Sequence, residues 1–349
     1  MGVLGRGVLG RGVFALCLLT AAASAASAQS VRVLGRSLAD GRGGFTIAWP
    51  NSGFETAFTG ARLRVTLEDG GKNLFDLEVD GNTSRIDLKP GVNTYTLFEG
   101  AKASHLVRFT RRTNGLSGET HIMAIKSDGR LAAPHAPERR LLVIGDSIAS
   151  GYGVEGANQS CSFSLETENA TLGFAALTAE ALKADLENVS LDGHGLYRNY
   201  GGQGPTMAEL SWRILPDHPA RRPAEAPAPQ VVVVNLGVND FAQGEPGPGF
   251  VSGYVSFLKD LRGAYPDAWI FGAFGAMLSG SNYEAGRDAV STAVSARRTA
   301  GDLRLEFLEF HPPDGPNRFG CDWHPGRAAQ QDMARTLQRA ILHAGAWAN

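Results

Sequence analysis

An α/β fold with a mostly parallel sheet, preceded by an all-β sandwich, is what three features of this sequence predict. Residues 31 to about 130 break into short alternating strands separated by turn residues. From Arg139 onward, apolar strands alternate with segments of helical periodicity. The stretch Leu141-Leu142-Val143-Ile144-Gly145-Asp146-Ser147 runs from aliphatic residues directly into a serine. That is the pattern of a buried strand delivering a polar group at its carboxyl end, where open α/β sheets bind ligands.

In chain order, residues 1–28 have the layout of a cleavable leader. Arg6 and Arg11 supply positive charge, Val13 to Ala23 is mostly apolar, and Ala26-Ser27-Ala28 is a small-x-small cleavage site before Gln29. The apolar core is too short for a comfortable membrane span, so the mature chain is expected to be exported, secreted or periplasmic, without membrane insertion. The whole chain has a formal net charge of −2 and 19% charged residues. Near-neutrality offers no electrostatic footprint for nucleic acid. Cys17 departs with the leader, leaving Cys161 and Cys321 as a predicted disulfide.

Strands are expected at Thr46–Trp49, Leu63–Leu67, Leu74–Val79, Thr94–Phe98, His105–Thr110 and His121–Ile125. Pro50-Asn51-Ser52-Gly53, Glu68-Asp69-Gly70-Gly71, Asp80-Gly81-Asn82 and Lys89-Pro90-Gly91 break them. This assigns residues 29–130 to a β-sandwich domain and the Ala/Pro-rich residues 131–138 to a linker. Residues 139–349 form the α/β domain, in which the strand bearing Ser147 comes first. After it come a helix over Thr171–Leu186, a strand over Glu187–Leu191, and the glycine-rich loop Gly193 to Gly202. The later elements are a strand at Val231–Leu236, a helix at Gly249–Tyr265, a strand at Trp269–Phe274 and a helix at Tyr283–Arg298. A strand at Leu305–Phe310 and a helix at Gly326–His343 complete the chain.

Ser147, Gly193, Asn239 and His324 all come after strands of this domain, so a parallel sheet brings them to one edge. Those residue types suit acyl transfer. A serine hydroxyl needs a base to take its proton as it attacks, and a histidine does this near neutral pH. The anionic oxygen of the tetrahedral intermediate needs fixed donors. The Ser147 and Gly193 N–H groups and the Asn239 amide are candidates, with Gly195 the less favoured alternative to Gly193. Asp322 is placed to orient His324, and Cys161 and Cys321 flank the two reacting segments.

These blocks resemble the SGNH/GDSL hydrolases: Gly145-Asp146-Ser147, Gly193, Gly237-Val238-Asn239-Asp240 and Asp322-Trp323-His324-Pro325. Together with the leading β-sandwich, three further stretches are similar to carbohydrate esterase family 2. They are Thr167-Glu168-Asn169, Tyr197-Arg198-Asn199-Tyr200-Gly201-Gly202 and Phe319-Gly320-Cys321. The resemblance implies a jelly roll packed on a three-layer α/β/α hydrolase that removes O-acetyl groups from xylan, glucomannan or their oligosaccharides. It implies no metal or organic cofactor. By position, Ser147 is its nucleophile, His324 its base, and Gly193 and Asn239 its oxyanion donors. The superfamily usually places its acid three residues before the histidine, whereas Asp322 lies two before. Asp322 is therefore expected to act through either its carboxylate or its main chain. Trp323 and Tyr197 are candidates to stack on a sugar ring, and the chain is expected to be a monomer. Two other readings remain open: a lipase- or thioesterase-like hydrolase on the same fold, and a carbohydrate-binding protein with little turnover.

Overall fold

The computed structural model describes residues 1–2, 30–315 and 317–347. The expected leader falls, beyond its first two residues, outside them.

Among the described residues, nine antiparallel strands come first. They are β1 (Arg32–Leu34), β2 (Leu38–Ala39), β3 (Phe45–Ile47), β4 (Gly53–Asp69), β5 (Leu74–Val79), β6 (Asn82–Asp87), β7 (Gly91–Arg111), β8 (Thr120–Ser127) and β9 (Arg130–Ala132). The hydrogen-bonded order is β2-β3-β8-β4-β7-β5-β6, with β1 and β9 also on β4. β4 pairs β1, β9 and the end of β7 along its first half, then β8 and the start of β7 along its second. Register shifts between Gly60 and Arg62 and between Leu63 and Arg64 mark the change of partners, as bulges do where strands turn between layers. Phe54, Phe58, Leu63, Val65, Phe75, Val107 and Phe109 fill the interior.

Sequence pattern underestimated these strands. Thr94–Phe98 and His105–Thr110 belong to one strand, β7, because the small and polar residues between them stay extended though exposed. Asn82-Thr83-Ser84, which has the look of a turn, begins β6. Leu131 and Ala132, assigned to the linker, pair with Phe58 and Ala57, so the chain leaves this sheet at Ala132.

The second sheet contains β10 (Arg139–Gly145), β11 (Ala184–Ser190), β12 (Val231–Asn235), β13 (Trp269–Gly275) and β14 (Leu305–Phe310). Its order is β11-β10-β12-β13-β14 and every pairing is parallel. β12 is buried at every residue, as a strand covered on both faces must be. The longer helices are α1 (Phe174–Ala181), α2 (Gly249–Ala264), α3 (Gly280–Thr299) and α4 (Arg327–His343). α2 buries Phe250, Tyr254, Phe257, Leu258 and Leu261, a stripe at helical spacing. α1 is shorter than its pattern suggested. Lys183 takes a left-handed φ of 51° and ends it, and Ala184–Leu186 pair instead with Arg139–Leu141.

Because β11 and β12 lie on opposite sides of β10, the chain reverses its direction of winding there. The end of β10 is thus a topological switch point, the place where such sheets form crevices. The antiparallel part is built into the second core: Trp49 packs there, and its Nε1 donates to the Ile214 carbonyl at 2.9 Å.

Candidate active site

Ser147 opens a single helical turn directly after β10. Asp146 caps that turn by accepting the Ile148 N–H on Oδ1 at 3.0 Å. Gly145 is needed for closeness: a Cβ there would lie 2.6 Å from the Ala149 Cβ. From α4, Gln330 braces the turn, donating to the Ile148 carbonyl at 2.9 Å while accepting the Phe174 N–H at 2.8 Å.

His324 Nε2 lies 2.9 Å from Ser147 Oγ, and its Nδ1 lies 3.1 Å from the Asp322 carbonyl oxygen. A carbonyl only accepts, so Nδ1 carries the proton and Nε2 is left to accept from the serine. Burial lowers the imidazole to about 4, opposed by the carbonyls of Asp322 and Cys321. It is therefore neutral, and able to act as a base, across the neutral range.

Between the two positions open to Asp322, the geometry selects the main chain. The carboxylate turns away from the imidazole; its Oδ2 accepts from the Tyr152 hydroxyl at 2.9 Å and the Phe163 N–H at 3.0 Å. Left-handed φ values of 50° at Asp322 and 63° at Trp323 swing the carbonyl onto the ring. Such conformations cost non-glycine residues about 1–3 kcal/mol each and persist only where the surroundings enforce them.

Here the enforcement is dense. Cys161 and Cys321 form a disulfide with a Cα–Cα distance of 4.7 Å, and it packs against Gly156, where a Cβ would lie 2.4 and 2.6 Å from the two sulfurs. The Asp322 N–H donates to the Cys161 carbonyl at 3.0 Å, and the Cys321 N–H to the Gly153 carbonyl at 3.0 Å. The Tyr152 ring stacks between Phe163 and His324, with centroids 4.0 and 4.1 Å away.

Gly193 adopts a φ of 72° in the loop after β11. Among the described residues, neither its N–H nor that of Ser147 has a hydrogen-bond acceptor. The Gly195 N–H is occupied by Asn199 Oδ1 at 3.1 Å. Asn239 Nδ2 donates to the His194 carbonyl at 3.0 Å and approaches Asp146 Oδ2 at 3.2 Å, so both its hydrogens are engaged. Asp240, which sequence reasoning passed over, accepts the N–H groups of Leu196, Tyr197 and Arg198 at 2.7–2.9 Å and fixes the glycine-rich loop. Arg198 donates to the Asp240 and Gly244 carbonyls rather than to a carboxylate. The Asn-Asp pair after β12 was the available signal for Asp240, but its partners lie more than forty residues away.

Trp323 and Tyr197 are 58% and 47% exposed. Tyr197 also leans on the start of α2, where a Cβ at Gly249 would lie 2.4 Å from its hydroxyl. Among the described residues no three His, Cys, Asp or Glu side chains are grouped to hold a metal ion, and no helix is long and apolar enough to cross a membrane.

A parallel sheet carrying a serine in contact with a neutral imidazole defines a serine hydrolase. The GDSL-like lipase/acylhydrolase family matches residues 143–332, and the carbohydrate esterase 2 N-terminal domain matches residues 33–137. The cellulase/esterase CelE of Acetivibrio thermocellus is 36% identical over 306 residues, covering 86% of this chain; the chain spans 38% of that protein's length. An acetylxylan esterase / glucomannan deacetylase of Cellvibrio japonicus is 29% identical, with 88% of each chain covered. The structure of a family two carbohydrate esterase from Clostridium thermocellum in complex with cellohexaose superposes with a TM-score of 0.88. It is 35% identical, over 91% of this chain and 99% of that one. The chain belongs to the GDSL-like lipase/acylhydrolase family and, within it, to carbohydrate esterase family 2.

Proposed function

We propose that this protein is a carbohydrate O-acetyl esterase acting through a serine acyl-enzyme. The observation that carries the reading is the 2.9 Å contact between His324 Nε2 and Ser147 Oγ at the end of β10. His324 takes the hydroxyl proton as Ser147 Oγ bonds to the acetyl carbon. The negative oxygen is held by the Ser147 and Gly193 N–H groups, and Asn239 adds a third donor by turning one hydrogen from Asp146. Collapse breaks the ester bond, the sugar hydroxyl leaves with the proton from the imidazolium, and the acetyl group stays on Ser147 as an ester. Water, deprotonated by the same imidazole, then adds to the acetyl carbon; acetate leaves and the imidazolium returns the proton to Ser147 Oγ. The Asp322 carbonyl holds the imidazole in its working tautomer.

Relatives named for acetylxylan and glucomannan, and one solved with cellohexaose, support acetylated plant polysaccharides or their oligosaccharides as substrates. Trp323, next to His324 in the chain, and Tyr197, in the glycine-rich loop, are exposed aromatics of the kind that stack on sugar rings, and this reading assigns them that role. The disulfide supports an exported, oxidising location. The decisive experiment is acetate release from acetylated xylan and acetylated glucomannan by the purified chain beside Ser147→Ala. Release by the parent alone is the expected result. No release by a folded, disulfide-bonded parent would overturn the reading.

A further inference from the structure

The antiparallel domain sends one side chain beneath the serine and the glycine-rich loop. Asn114 lies just after β7, in a turn shaped by the fully buried Arg111. Arg111 donates to the carbonyls of Thr113 at 2.9 Å, Asn114 at 2.8 Å and Gly118 at 2.6 Å. Asn114 Oδ1 accepts the Leu116 N–H at 2.8 Å, which fixes the amide's orientation. Its two Nδ2 hydrogens then go to Glu168 Oε1 and Asp192 Oδ2, both at 2.7 Å.

Asp192 links this amide to the serine turn. Its Oδ1 lies 2.6 Å from Ser150 Oγ, which lies 3.1 Å from the Ser147 carbonyl oxygen. Its own carbonyl accepts from His194 Nδ1 at 2.8 Å, so contacts on both sides hold the peptide that carries the Gly193 N–H. The Asp192–Ser150 contact thus ties the segment bearing Gly193 to the turn bearing Ser147.

We propose that Asn114 is a positioning residue for the oxyanion site, acting through Asp192 and Ser150, so that the N-terminal domain takes part in catalysis by the other domain. The inference rests on the esterase reading. A single neutral amide donates to two carboxyl groups here, and no other described side chain donates to Glu168, whose Oε2 is buried without a partner. Burial raises both acids, Asp192 to about 7, and the Asp192 charge raises Glu168 further. The charged and titratable groups facing the pair are Arg111, Asp146, the Tyr152 hydroxyl and the His194 ring on the Asp192 carbonyl. Only Arg111 offsets its charge.

The test is Asn114→Asp, assayed with a chromogenic acetate between pH 5.5 and 8. A third acid in the cluster must take up a proton before it can donate. At pH 8, kcat is expected to fall about tenfold or more with KM nearly unchanged, and to recover as the pH falls toward 5.5. His324 is neutral throughout that range, and Asp192 titrates in the parent as well, so the effect is read as the ratio of variant to parent kcat at each pH. Adding Glu168→Gln removes the extra charge and is expected to restore kcat at pH 8. Should Asn114→Asp fail to fold, Asn114→Ser, which leaves room for water, takes its place. It is expected to lower kcat rather than KM and to speed amide hydrogen exchange across residues 192–200. A folded variant with the parent's kcat and pH profile overturns the proposal. A parent without turnover would instead defeat the esterase reading, and exchange in the loop would then decide whether Asn114 holds it.

Discussion

Ser147 stands on a strand, a capping aspartate and one turn of helix within residues 139–151, with Gln330 of α4 as a brace from outside. His324 stands on irregular chain, between two left-handed residues and the start of α4, and its shape comes from a disulfide across 160 residues and a carboxylate bonded to Tyr152 and Phe163. The serine is placed by local propensity and sheet burial, which survive many changes elsewhere. The histidine is placed by distant tethers, each of which can be cut singly. The nucleophile's geometry should therefore be robust and the base's fragile.

The largest effect treats the two alike. Ser147→Ala and His324→Ala should each lower kcat by about 10⁴-fold or more, measured as acetate release under saturating substrate. Retention of activity by either variant would break the pairing itself. Replacing both Cys161 and Cys321 with serine then separates the two segments. The unfolding free energy should fall by about 4–5 kcal/mol in the chain-entropy account, read by denaturant titration, and kcat should fall at temperatures where the variant is still folded. An unchanged kcat there would show that the loop keeps its shape without the bridge.

Asp322→Ala sharpens the contrast further. It keeps the carbonyl on His324 but frees Tyr152 and Phe163, so kcat should drop about tenfold. A carboxylate bonded directly to the imidazole would cost nearer 10⁴-fold. The smallest expected effect is a displacement along the pH axis. The base must be neutral, and burial lowers it to about 4. The acid limb of kcat/KM should therefore fall away near pH 4 rather than near the 6.5 of an exposed imidazole. A limb at 6.5 would mean that the site is wetter than its packing implies.

The same contrast explains how much of the molecule is legible in its sequence. An aliphatic run ending in Gly145-Asp146-Ser147 announces its own geometry, because strand, cap and turn all depend on near neighbours. The alternating apolar segments after Arg139 likewise sufficed for the parallel sheet. His324 was legible as a residue type at a strand end, but the choice between the Asp322 carboxylate and its carbonyl was not. That choice depends on two left-handed residues that neither glycine nor asparagine signals. Asn114, Glu168 and Asp192 were invisible as a group, since contacts 54 and 78 residues apart leave no periodic trace. The long strands β4 and β7 were seen only in pieces, because their solvent-facing stretches carry little apolar signal.

Gly156 carries a consequence for how such chains can change over generations. A side chain at position 156 would meet both sulfurs, at 2.4 and 2.6 Å, and also the Cys321 backbone nitrogen at 2.6 Å. Losing the bridge removes only the first two of these contacts. Among descendants of this chain, a lineage that has lost the cysteines should therefore still carry glycine at 156. One that has filled position 156 should have moved the whole segment that shapes its base.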